Sequence, residues 1–149
     1  MKKPLIFILI ITWMIIIFTF SAMNSNNSNS KSLGLIKGVV STTTKILHIN
    51  VTDKQINKIA TTLNYPVRKC AHVTVYLVLG ILLMNLLYNS DHKKIIYIII
   101  AILFAYASTD EFHQSFTGRT SSLRDVVIDT LGGCLGIIIY LKYKSRKLK

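Results

Sequence analysis

Residues 108–136 read STDEFHQSFTGRTSSLRDVVIDTLGGCLG; they follow the uninterrupted apolar run Ile95 to Ala107 and lead into a second apolar segment, Val126 to Leu141. Four of the six acidic residues of the chain fall in this stretch, Asp110, Glu111, Asp125 and Asp129, with Arg119 and Arg124 between them. Charges at the edges of apolar segments are costly unless they are paired, hydrated or used. A soluble domain of 149 residues would show strands and amphipathic helices. This chain instead shows long apolar runs joined by short polar connections, which reads as an all-α integral membrane protein.

The rest of the chain agrees. It is 51% hydrophobic, with a mean hydropathy of +0.47. The net charge is +12, but the basic residues do not interleave with aromatics on a soluble face, so no nucleic-acid partner is expected. Lysines in a membrane protein more often set topology and meet anionic headgroups. Cys70 and Cys134 both lie in apolar segments and no CxxC is present, so neither a disulfide framework nor a thiolate zinc site is expected.

Four spans are expected, at about 4–23, 70–88, 95–114 and 125–141, each close to one bilayer thickness. The first follows Lys2 and Lys3. A signal peptide cleaved after Ser21–Ala22 is the competing reading, and the long apolar run favours a retained helix. Residues 24–32 are Asn/Ser-rich and read as a flexible connection. Leu33, Ile36, Val40 and Leu47 then recur at helical spacing, and Thr52 with Gln55 fits a capping box that opens a second short helix. Tyr65–Pro66 is expected to end it. These two segments read as amphipathic helices on the membrane surface, a disordered loop being the alternative.

Nine Lys/Arg crowd the N-terminal tail, the 89–94 turn and the 142–149 tail; nine more are spread thinly over 24–69 and 115–124. The positive-inside rule therefore expects cytoplasmic termini and external loops at 24–69 and 115–124. The whole reads as one domain of four membrane spans.

Depth and face converge on one site. At the helical rise, His72 and Tyr76 lie about 24 and 18 Å from the cytoplasmic end of their span, Asp110 about 22 Å and Asp129 about 18 Å from theirs. Three spans thus place ionisable groups in one outer layer. Lys69, His72, Tyr76 and Gly80 share a stripe, as do Asp125, Asp129, Gly132 and Gly136; each runs from polar outside to glycine deeper in. Asp110, His113 and Gln114 share a face, while Glu111 points about 100° away. A tightly packed base under a polar cup is expected.

Each residue also has a plainer reading. Ser122 is placed to cap the fourth span, with Asp125 suiting its dipole. Asp110 and Glu111 sit at a helix C-terminus, where negative charge asks for a cation; Arg119 and Arg124 are within reach for a purely structural network. His72 has an interfacial role as its plainer reading, and His113 reads as near the water interface. His48 and His92 read as incidental, and the lysines of 31–58 as a solvated or lipid-facing surface.

These residues resemble the VanZ-like family of small bacterial membrane proteins. The resemblance rests on Arg68–Lys69 followed by His72 and Tyr76, then on Asp110, Glu111, Gln114, Phe116, Gly118–Arg119, Arg124–Asp125, Asp129 and Gly132, with Phe20, Ser21 and Ala22 also similar. The family often has proline where Thr117 stands. The resemblance implies an envelope role, since the family's named member is linked to resistance against the lipoglycopeptide teicoplanin.

Two functions stay open. In the first, a non-enzymatic cup binds the polar head of a lipid-linked cell-wall molecule or a lipoglycopeptide through Lys69, His72, Tyr76, Asp110, Glu111, Gln114, Arg119, Arg124, Asp125 and Asp129. In the second, an intramembrane enzyme acts on a lipid-linked phosphate or ester. His72 and Glu111 then do acid–base work, with Asp110 a further catalytic candidate. Asp110, Asp125 or Asp129 would hold a divalent metal, although no known metal motif such as HExxH is present. No other cofactor is expected. Membrane lipids are partners in either case. A transporter is a third, plainer reading that four unbroken spans disfavour for a monomer; an oligomer is left open.

Overall fold

The structure is a computed structural model that describes residues 3–22, 25–88, 92–116 and 122–147. Its described residues form the helices α1 (Lys3–Ser21), α2 (Ser25–Ile46), α3 (Asp53–Leu87), α4 (His92–Ser115) and α5 (Leu123–Lys147). Of these, α1, α3, α4 and α5 contain windows long and apolar enough to cross a membrane, and the protein is an all-helical multi-pass membrane protein.

The chain divides into two compact units, one of residues 1–22 with 72–149 and one of residues 23–71. In the first, the interior is built from one stripe of each spanning helix. Ile6, Ile10 and Ile17 of α1 meet Tyr76, Leu79, Leu83 and Met84 of α3, Ile99, Leu103 and Ala107 of α4, and Val126 and Ile137 of α5. These positions recur at three- and four-residue steps, so each helix buries a single face. The opposite faces are no more polar: Ile8, Ile15, Phe104, Leu131, Leu135 and Ile138 are all exposed. Helices apolar on every side suit a hydrocarbon surround.

Without a hydrophobic drive between helices in lipid, packing and hydrogen bonds must hold the bundle. Both are present. A Cβ on Gly80 of α3 would run into the backbone of Gly133, and one on Gly136 of α5 would run into that of Leu77 and Ile81. Gly132 lies against the backbone of Val73 in the same way. The stripes of small residues are therefore the seam where α3 and α5 touch backbone to backbone. On the other side, Trp13 Nε1 donates to the Val75 carbonyl at 2.9 Å, and the Tyr106 hydroxyl donates to the Met14 carbonyl at 2.6 Å. These tie α1 to α3 and α4.

The second unit corrects two expectations. The Asn/Ser-rich segment is not a flexible connection from Ser25 onward but the start of α2. Tertiary partners override its weak helix propensity. Arg68 donates to Asn29 Oδ1 at 2.6 Å, Asn64 Nδ2 donates to the same oxygen at 3.4 Å, and the Ser32 hydroxyl donates to Asn64. Pro66, likewise, does not end its helix; α3 continues through it. The proline ring is exposed and its cost is one lost backbone bond, which the apolar segment beyond it outweighs by extending the helix. The capping box forms as expected: Thr52 N donates to Gln55 Oε1 at 2.9 Å and Gln55 N to Thr52 Oγ1 at 3.4 Å. At the end of α2, His48 takes a left-handed φ of 53°, the conformation that helix C-termini favour.

Candidate functional site

Three of the four spanning helices each carry a pair of polar side chains one turn apart, so each pair shares a face. They are His72 and Tyr76 on α3, Asp110 and Gln114 on α4, and Asp125 and Asp129 on α5. The glycine seam fixes the height of α5 against α3. His72 consequently falls beside Asp129, with Nδ1 and Oδ2 3.4 Å apart. Asp110 enters from α4, and one ligand-type atom each from His72, Asp110 and Asp129 lie within 4.8 Å of one another.

Three of the four cluster residues are deeply buried and the fourth is not. Tyr76 is 0% exposed and Asp110 and Asp129 are 1% exposed, whereas the His72 side chain keeps 25% of its surface open. Gln114 steadies Asp110 from the side. Its Nε2 donates to Asp110 Oδ2 at 3.1 Å and to Ser21 Oγ, at the end of α1, at 2.5 Å. One oxygen of Asp110, Oδ1, and the Tyr76 hydroxyl have no hydrogen-bond partner among the described residues. Tyr76 stacks obliquely on Tyr106 with ring centroids 6.0 Å apart. A buried, unpaired polar atom costs on the order of 1–3 kcal/mol.

Glu111 points away from Asp110 on α4 and yet is only 3% exposed. Its Oε2 accepts the Ser122 backbone N–H at 3.0 Å, just before α5. Ser122 caps α5 as expected: its Oγ accepts the Arg124 N–H at 3.2 Å and its carbonyl the Asp125 N–H at 2.9 Å. Glu111 therefore fastens the chain entering α5, and Asp125 sits in that helix's first turn.

Of the other expected site residues, Arg124 is exposed and Arg119 lies outside the described residues, as does Gly118. Lys69 belongs to the second unit, where its ammonium lies 5.5 Å from the centre of the Tyr65 ring. His113 packs its ring on Phe18 at 4.3 Å, with Nδ1 buried and unpartnered among the described residues. The His92 side chain is outside the described residues. Sequence reasoning gave Ser21 no part in the site, although a serine closing an apolar span was the available signal.

The residues that converge as potential metal ligands are His72, Asp110 and Asp129, a set in which histidine stands where the sequence reading placed Asp125. No curated protein and no solved structure matches the chain. The model of the VanZ/LLP1 family, in contrast, matches residues 6–144 and so takes in every spanning helix and the whole polar cluster. The protein belongs to the VanZ/LLP1 family.

Proposed function

We propose that this is an envelope protein of the bacterial cytoplasmic membrane, with its termini in the cytoplasm. Its polar cluster engages the polar head of a lipid-linked cell-wall molecule or a lipoglycopeptide such as teicoplanin. By changing that ligand's access to its target, the protein confers low-level resistance. The observation that carries this reading is the buried convergence of His72, Tyr76, Asp110 and Asp129 from three helices, with an acceptor and a hydroxyl left unpartnered among the described residues. Groups so costly to bury contribute little to holding the bundle together, so a ligand is the better account of them. The cluster is acidic, which favours a head rich in hydroxyl, amide or ammonium groups, or an anionic head bridged by a cation. Membrane lipids around α1, α3, α4 and α5 are the remaining partners, and Lys69, Arg119 and Arg124 are the residues assigned to headgroup phosphates.

Expression in a susceptible Gram-positive host tests the reading. Teicoplanin and vancomycin susceptibility are compared for wild type, Asp129→Asn, Glu111→Gln and Arg119→Ala at matched membrane levels. The expected result is protection against the lipid-tailed drug alone, lost in the variants. Equal susceptibility of wild type and empty vector would refute the resistance role.

A second reading is favoured by the His72–Asp129 pair. In it the cluster carries out chemistry on a lipid-linked phosphate or ester, as an intramembrane enzyme. Turnover of such a lipid by purified protein, absent in Asp129→Asn, is the expected outcome.

A further inference from the structure

We propose that His72, Asp110 and Asp129 bind one divalent transition-metal ion of the zinc or manganese class. This deepens the enzymatic reading of the same site, but it rests on ligand geometry and not on turnover.

Four observations lead there. The three donors come from three different helices and already lie within 4.8 Å of one another. Two atoms each about 2.0–2.1 Å from a tetrahedral ion stand about 3.4 Å apart, and His72 Nδ1 and Asp129 Oδ2 are 3.4 Å apart, long for a direct hydrogen bond. Asp110 has one oxygen engaged by Gln114 and leaves the other, Oδ1, without a partner among the described residues. That is the arrangement of a ligand carboxylate oriented by an outer hydrogen bond. Finally, buried charges are paired or coordinate metals, and two carboxylates each 1% exposed stand here beside one imidazole.

The donor set also selects the ion. One imidazole with carboxylates suits zinc or manganese, whereas magnesium prefers oxygen donors and retained water. The Tyr76 hydroxyl, buried and unpartnered among the described residues, is the group that a bound ion's water or a head group would meet. The His72 side chain, 25% exposed, is the most accessible of the three ligands. A loaded site would also change what the acidic cluster attracts, from cationic or neutral heads to phosphate.

The full chain, purified in nanodiscs and stripped with chelator, is titrated with Co²⁺ while visible absorption is followed, then with Zn²⁺ as competitor. Metal content is measured independently. We expect saturation at one equivalent per chain, d–d bands of a four-coordinate site, and displacement by Zn²⁺ but not by Mg²⁺. His72→Gln, Asp110→Asn and Asp129→Asn should each abolish stoichiometric binding. Gln114→Ala should weaken it about 10–100-fold. Asp53→Asn, at the exposed start of α3, should bind as wild type. Absence of saturable one-equivalent binding by the wild type would overturn the proposal, and that titration needs no variant to fold. So would undiminished binding by an Asp110→Asn/Asp129→Asn double variant. Stoichiometric binding without any chelator-sensitive turnover would remove the enzymatic reading and leave the ion site in place.

Discussion

The same two helices, α3 and α5, make contact in two ways within a few turns. At the seam, Gly80, Gly132 and Gly136 let backbone touch backbone, and nothing larger fits without movement. About one turn before Gly132 and two before Gly136, toward the start of α5, His72 faces Asp129 across 3.4 Å, with Tyr76 and Asp110 buried beside them and not fully paired among the described residues. The seam is optimised for packing and the cluster is not. The difference teaches that the sequence spends stability in one place and recovers it next door, a pattern expected where a fold carries a site.

Substitutions can break or sharpen that contrast. The largest effect is expected at the seam. Gly136→Ala pushes a methyl into the Leu77 and Ile81 backbone and should cost about 3 kcal/mol or prevent accumulation of folded protein, as read by denaturant unfolding in detergent. Next comes the entry to α5. Ser122→Ala removes the hydroxyl that accepts the Arg124 N–H and should cost about 1 kcal/mol in the same assay. Gly133→Ala is the control for the seam: the nearest atoms to a methyl there belong to the Leu103 side chain and not to backbone, so about 1 kcal/mol should be lost, well below the cost at Gly136. If Gly133→Ala and Gly136→Ala are equally damaging, backbone contact is not what distinguishes the seam. The smallest effect on stability is expected inside the cluster. Tyr76→Phe deletes a hydroxyl with no partner among the described residues and should leave stability unchanged or raise it by about 0.5 kcal/mol, while ligand-dependent protection falls. A loss of stability on that change would assign the hydroxyl a structural bond.

The four spans were legible because length and apolarity decide a membrane helix almost alone. The faces of the cluster were legible too, since His72 and Tyr76, Asp110 and Gln114, and Asp125 and Asp129 are one turn apart on helices whose period is fixed. What depended on tertiary context was not. The Asn/Ser-rich start of α2 is helical because Asn29 and Ser32 meet Asn64 and Arg68, partners more than thirty residues away in sequence. Pro66 reads as a stop, yet an exposed ring within a long helix does not act as one. The offset of about 100° between Glu111 and Asp110 follows from helical period alone, but the burial of Glu111 goes with the Ser122 N–H it accepts, a contact that periodicity does not encode. Ser21 reached the site only because α1 ends beside Gln114.

If the polar cluster serves a ligand and not the fold, as proposed, the bundle does not depend on its charges. The most direct test is the unfolding free energy of the Asp110→Asn/Asp129→Asn double variant beside wild type, both in the same detergent with chelator. Neutralising two buried, incompletely paired carboxylates should leave the protein at least as stable as wild type. A loss of more than about 2 kcal/mol would contradict the claim, because it would make the cluster a buried ion-pair network on which the bundle depends.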